Sequence, residues 1–125
     1  MSVISAINVV VGASPNPERY AYKAANMLKL YGYRVWLFGV KKGVIDDMPI
    51  QQQWPEADVE TVTLYIGKDL QPQYYKQIID LKPVRVIFNP GTENEIFEKQ
   101  LEVNGILVVR ACTLVMLRTG QYQLK

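Results

Sequence analysis

Phosphate chemistry is the first possibility this sequence raises. Gly12-Ala13-Ser14-Pro15-Asn16-Pro17 follows an apolar run and precedes a helical pattern. Gly12 permits a tight turn and a close backbone approach by a ligand. A helix N-terminus behind it offers unpaired N–H groups and a positive dipole end, which suit phosphate. Ser14 adds a hydroxyl donor. The same residues also serve as a plain strand-to-helix turn, with Asn16 as the helix cap. Arg19, Tyr20 and Lys23 follow in the first turns. A pyrophosphate would suit Arg19 or Lys23, and a base would stack on Tyr20; a solvated helix face accounts for them equally well.

A second set of polar groups is Asn89-Pro90-Gly91-Thr92-Glu93-Asn94-Glu95. Gly91 lets the chain turn. Asn89, Thr92 and Asn94 can exchange hydrogen bonds with a ligand, and Thr92 or Asn94 can cap the next helix. Cys112 is the only cysteine, so an internal disulfide is excluded and a reducing compartment, the cytoplasm, is expected. Cys112 stands directly after an apolar run. It is placed either to face a thioester or thiol or to fill space as a small apolar residue. The chain has no histidine. That removes the commonest general base and transition-metal ligand, so a Ser-His-Asp or Cys-His site within one chain is impossible and no metal is expected.

Alternating elements must position these groups. Ala6 to Val11, Arg34 to Val40, Thr61 to Ile66, Val84 to Phe88 and Ile106 to Val109 read as strands. Their near-continuous apolar character implies burial on both faces of a parallel sheet. A first helix is predicted with Asn16 as cap, Pro17 at its first position and Gly32 at its end. Others are predicted over Pro72 to Leu81, Asn94 to Val103 and Leu114 to Arg118. Gly43 to Asp58, with Pro49, Pro55 and three consecutive glutamines, reads as a loop. The fold class that follows is α/β: a Rossmann-like, doubly wound, five-stranded parallel sheet with helices on both faces, one domain over residues 1–125. Ligands in such sheets bind beyond the carboxyl ends of the strands. The loops that matter therefore follow Val11, Val40, Ile66, Phe88 and Val109.

Composition narrows the ligand. A net charge of +2 with no basic stripe argues against nucleic acid. The apolar runs are strand-sized, short of the ~20 residues that span a bilayer, so no membrane association is expected. Met1-Ser2-Val3-Ile4 has no basic leader region. The dinucleotide pattern G-x-G-x-x-G is not met, because Ser14 and Pro17 stand at its second and third glycine positions. Nor is there an acid after the second strand to grip a ribose diol. Gly39-Val40-Lys41-Lys42-Gly43 stands there instead. Two lysines suit an extra phosphate on the ribose, as in NADP or coenzyme A, and they also suit a solvated loop.

At these loops the sequence resembles the CoA-binding domain family in its small stand-alone bacterial form. The resemblance is carried by Val9-Val10-Val11-Gly12-Ala13-Ser14-Pro15-Asn16-Pro17, Leu30-Tyr31-Gly32-Tyr33-Arg34-Val35, Asn89-Pro90-Gly91-Thr92-Glu93-Asn94 and Val108-Val109-Arg110-Ala111-Cys112. The nucleotide-binding half of succinyl-CoA synthetase alpha subunits is similar but more distant. The resemblance implies non-catalytic binding of coenzyme A or an acyl-CoA through its 3'-phospho-ADP part. It puts Gly12, Ala13 and Ser14 around the pyrophosphate and Gly39, Val40, Lys41 and Lys42 near the adenosine and its 3'-phosphate; Pro15 and Ile66 are further candidate binding residues. It departs from many relatives where Gly39-Val40-Lys41 replaces Val-Asn-Pro and where Gly67-Lys68-Asp69 replaces prolines. Two alternatives stay open. One is an NADP-dependent or CoA-transferring enzyme relying on a residue such as Tyr20 or Cys112. The other is an interaction module, a homodimer or a partner of another protein, with a decayed nucleotide site.

Overall fold

The computed structural model describes residues 6–124. The Met1-Ser2-Val3-Ile4 start lies outside them. Strand β1 (Ile7–Val11) is buried throughout. Helix α1 (Tyr20–Leu30) follows, then β2 (Arg34–Phe38), a short hairpin of β3 (Val44–Ile45) and β4 (Met48–Gln51), and β5 (Val59–Leu64). A 3₁₀ turn at Pro72–Tyr74 runs into α2 (Tyr75–Asp80), followed by β6 (Arg85–Phe88), α3 (Glu95–Val103), β7 (Leu107–Arg110) and α4 (Thr113–Arg118).

The sheet has seven strands in the order β3-β4-β2-β1-β5-β6-β7. All neighbours are parallel except β3 and β4, which pair antiparallel. From β4 to β7 this is the strand order of a Rossmann sheet, with its switch point between β1 and β5. Side chains alternate across it. Val9, Val11, Val62, Val86 and Phe88 pack beneath Ile78 of α2 and Phe97 and Leu101 of α3. Val10, Leu37 and Ile87 pack beneath Ala21, Ala25 and Leu28 of α1 and Met116 and Leu117 of α4. Helices therefore cover both faces, as expected.

The count of five strands is corrected to seven, because Gly43 to Asp58 is not a plain loop. Ile45 and Ile50 are buried at 0% and 6% exposure, which fixes the hairpin on the α1 side. Asp46 and Asp47 make its turn, Asp46 with φ +56, and both carboxylates engage the Lys29 ammonium. Pro49 is tolerated because β4 pairs with β2 only from Ile50 onward and, opposite Val44 of β3, the ladder bond is carried by the Ile50 N–H to the Gly43 carbonyl. No helix crosses from β2 to β4. In its place Trp54 stacks on Phe38 at 3.8 Å between ring centroids, and the Trp36 indole donates to the Gln53 carbonyl.

The start of α1 is also corrected. Asn16 does not cap it. Its side-chain oxygen accepts the Glu18 N–H and its carbonyl accepts the Arg19 N–H, closing a separate turn that contains Pro17. Arg19 stands at the cap position with no side-chain cap bond.

The amino edge of the sheet is clamped by the C-terminal segment. Arg85 is 3% exposed; it donates to Thr61 Oγ1 and to the Tyr122 carbonyl, with its guanidinium 4.4 Å from the Tyr122 ring centroid. The Tyr122 hydroxyl donates to Asn8 Oδ1 at 2.7 Å, and Asn8 Nδ2 donates to the Arg34 carbonyl. Burial pushes the Tyr122 phenol well above its ordinary pKa. Tyr122→Phe leaves a buried acceptor on Asn8 unpaired and is expected to cost ~1–3 kcal/mol. Urea denaturation with an unchanged m-value checks this; a loss below ~0.5 kcal/mol would mean that Asn8 finds another donor.

Candidate functional site

The loops at the carboxyl edge interlock through glycines. Gly12 has φ +93, a conformation that favours glycine, and a Cβ on it would lie 2.8 Å from Ile66 Cγ2. A Cβ on Gly39 would lie 2.5 Å from the Ala13 carbonyl oxygen, and one on Gly43 3.0 Å from Pro15 Cβ. The close approaches expected of these glycines are thus to neighbouring loops. The Gly12 and Ala13 N–H groups, expected to face a pyrophosphate, both donate to the Phe38 carbonyl at 2.9 and 3.0 Å. Ser14 Oγ accepts the Asn16 N–H, which leaves its own proton to donate.

The packing of Gly39 and Gly43 on the first loop brings Val40, Lys41 and Lys42, all exposed, beside it. Arg19, Tyr20 and Lys23 are exposed at the start of α1. The Lys23 ammonium lies over the Tyr20 ring, 5.3 Å from its centroid. The first turn of α1 carries no acidic residue, so its positive end is uncompensated. Residues 12–23 and 39–43 together hold four basic side chains and one acidic one, the exposed Glu18. This rim suits an anion.

The loop after β6 serves the fold. Asn89 is 2% exposed; its amide donates to Thr63 Oγ1 and the Leu64 carbonyl, and its side-chain oxygen accepts the Thr113 N–H. Thr92 Oγ1 donates to the Asn89 carbonyl. Asn94 caps α3 by accepting the Phe97 N–H and donates to Gln71 Oε1 and the Tyr75 hydroxyl. The side chains of Asn89, Thr92 and Asn94, expected to reach a ligand, are therefore occupied inside the protein. Pro90 and Gly91 are exposed on the rim.

Sequence reasoning missed Gln71 and Tyr65. Gln71 is fully buried and donates to the Ile66 and Thr92 carbonyls, joining the loops after β5 and β6. A lone glutamine between the 3₁₀ turns Lys68–Leu70 and Pro72–Tyr74 carries no sequence signal. Tyr65 follows β5, and its buried hydroxyl makes no full hydrogen bond among the described residues, although the Thr63 and Thr113 hydroxyls lie close to it. Burial pushes its pKa up to about 12. Tyr65 lines a cleft of about 240 Å³ with Tyr20, Asn89, Pro90, Cys112 and Leu114. Half-buried Cys112 thus does face a cavity. A wider depression of about 630 Å³ lies beside α3, with the carboxylates of Asp69, Glu93 and Glu95 set against the cations of Lys68 and Arg110 in its lining.

Among the described residues no three His, Cys, Asp or Glu side chains come together as a metal site, and no helix is long and apolar enough to cross a membrane.

A family model described as "CoA binding domain" matches residues 8–118, which takes in every loop described above. The chain belongs to the CoA-binding domain family. It is also similar, at 47% identity and a TM-score of 0.91, to an uncharacterized protein of known crystal structure, with 94% of this chain and 98% of that one covered. A hypothetical protein from Pyrococcus horikoshii OT3 is 26% identical with a TM-score of 0.80, covering 90% and 81% of the two chains. A protein from Thermus thermophilus at 21% identity and a TM-score of 0.79, covering 96% and 94%, shares the fold. Comparison with curated proteins gave no match. Family membership implies coenzyme A as the ligand. The uncapped, acid-free start of α1 and the lysines packed beside it fit a phosphorylated nucleotide.

Two predictions follow from this edge. Gly39→Ala drives a methyl group into a backbone carbonyl and is expected to cost ~1–3 kcal/mol in urea denaturation; a neutral result would mean the two loops separate freely. Tyr65 keeps its proton in the folded state up to about 12, against about 10 for an ordinary tyrosine. Its stabilising contribution is full below pH ~10 and is lost as pH rises toward ~12. The urea midpoint is therefore expected to fall across that window, and less steeply in Tyr65→Phe. Equal slopes would exclude Tyr65 as a source.

Proposed function

We propose that this protein binds coenzyme A or an acyl-CoA through its 3'-phospho-ADP part and does not turn it over. The observation that carries this reading is the basic rim around the uncapped start of α1. The first-turn N–H groups of α1 and the Ser14 hydroxyl face the pyrophosphate, with Arg19 and Lys23 beside them. Ala13 and Pro15 shape the loop that presents Ser14. Lys41 and Lys42 take the 3'-phosphate. Gly39, Val40 and Ile66 flank the adenosine, and Tyr20 offers a ring to stack on. Asn89, Thr92 and Asn94 hold the opposite wall in place, and Pro90 and Gly91 form its rim. Bound coenzyme A supplies a thiol that carries acyl groups. The chain has no histidine to serve as a general base, and the cleft beside Cys112 is lined by no charged side chain. A carrier, sensor or subunit role in the cytoplasm fits such a module.

Titration calorimetry tests the reading. Coenzyme A is expected to bind, and dephospho-CoA to bind at least ~10-fold more weakly, the worth of one charge-assisted phosphate contact. The double variant Lys41→Glu, Lys42→Glu is expected to erase that difference. Equal affinity for the two ligands would refute the role given to the lysines, and turnover of an acyl-CoA or of NADP would refute the non-catalytic assignment. The occupied Gly12 and Ala13 N–H groups favour one second reading, an interaction module with a decayed nucleotide site. No heat from coenzyme A, dephospho-CoA or NADP would select it.

A further inference from the structure

Gln51 closes β4, and Gln52 and Gln53 follow it. Each of these glutamines plays a different part. The Gln51 carbonyl accepts the Gly39 N–H at 3.0 Å. The Gln53 carbonyl accepts the Trp36 indole N–H. Gln52 acts through its side chain. Its Nε2 donates to the Gly39 carbonyl at 3.2 Å and to the Ile50 carbonyl at 3.3 Å. A primary amide carries two N–H donors on one nitrogen, so a single side chain can join the end of β2 to β4.

These bonds converge on a short strap. Val40, Lys41 and Lys42 link Gly39 to Gly43, and all are exposed. At one end Gly39 is held by Gln51 on its N–H, by Gln52 on its carbonyl and by its close approach to the Ala13 carbonyl. At the other end the Gly43 carbonyl accepts the Ile50 N–H at 2.9 Å, and Gly43 packs on Pro15. The segment that carries Gln52 is itself anchored, because Trp54 stacks on Phe38. A bridge of three residues between two fixed points has few paths. Lysines on a free loop would be ordered only on binding, at a cost in affinity; on this strap part of that ordering is already done.

We propose that Gln52 determines the preference for a ligand with an added ribose phosphate, as a positioning residue that sets the path of the Val40-Lys41-Lys42 strap. The inference rests on the reading that Lys41 and Lys42 take the 3'-phosphate of coenzyme A. Gln52 acts on that phosphate through the strap and not by contact. Its side chain is exposed, so removing its donors leaves the core untouched. What changes is the spread of positions open to the two lysines.

Gln52→Met keeps the length of the side chain and removes both donors without adding charge. Gln53→Met is the matched control beside it. Titration calorimetry with coenzyme A and with dephospho-CoA, on both variants and the unmodified protein, reads the preference. Gln52→Met is expected to lose about three- to tenfold in coenzyme A affinity, the ordering cost of one or two loop side chains, and to bind dephospho-CoA as the unmodified protein does. Gln53→Met is expected to keep both affinities. Amide exchange on the ligand-free proteins, followed by NMR, gives a second readout. The Gly39 and Ile50 N–H groups close the two ends of the strap, and both are expected to exchange faster in Gln52→Met while those of β1 do not change. Equal losses for the two ligands would mean that Gln52 only shores up the edge. An unchanged preference, or unchanged exchange at Gly39 and Ile50, would mean that the strap holds without it. Each of these results overturns the proposal and leaves coenzyme A binding intact. If the unmodified protein does not prefer coenzyme A to dephospho-CoA, the reading of the lysines falls and this inference falls with it.

Discussion

The side-chain amide of Asn89 holds the carboxyl edge together. Three parts of the chain meet on it: the end of β5 through the Leu64 carbonyl and Thr63 hydroxyl, β6 through its own backbone, and the start of α4 through the Thr113 N–H. Thr63 and Thr113 hydroxyls also bond to each other at 2.8 Å. A buried amide with unmet donors would be costly, and here its donors and its acceptor are all engaged. Removing it would free α4 and one wall of the cleft at once. The loop geometry around the cavity is thus a property of the core and does not wait for a ligand to organise it.

The other half of the edge is built by subtraction. Gly12 and Gly39 have no side chains where Ile66 and the Ala13 carbonyl now sit. That lets the loops after β1, β2 and β5 lie against one another. The Phe38 carbonyl, by taking two N–H groups from the first loop, fixes its path. The positive character of the site then comes from elsewhere: the open start of α1 and the exposed side chains of Arg19, Lys23, Lys41 and Lys42. Packed backbone and exposed charge are divided between neighbouring residues of the same loops.

Much of this was legible in the sequence, and the reasons for the misses are physical. Apolar, β-branched runs identified β1, β2, β5, β6 and β7, and the buried polar side chains within them, Asn8, Thr61 and Thr63, are hydrogen-bonded inside the fold. The hairpin of β3 and β4 escaped because each strand is too short to show a period, and Pro49 reads as a breaker when its donor is in fact not needed. The Asn89, Thr92 and Asn94 motif was found by residue type. Type alone does not say which way a side chain faces, and all three turn inward. Cys112 follows β7 at the carboxyl end of the sheet, as the strand order implied. Gln71 and Tyr65 have partners, or lack them, only through contacts between loops that no local pattern encodes.

The clamp at the amino edge has a practical meaning. The Tyr122 hydroxyl reaches Asn8, 114 positions away in the chain, so the first described strand and the last described segment meet at one end of the sheet. The loops that form the cleft and the basic rim lie at the other end. A fusion partner, an affinity handle or a tether to a surface attached beyond either of these segments would point away from the cleft. The domain would stand on its attachment like a cup on its foot, with its mouth turned to solution.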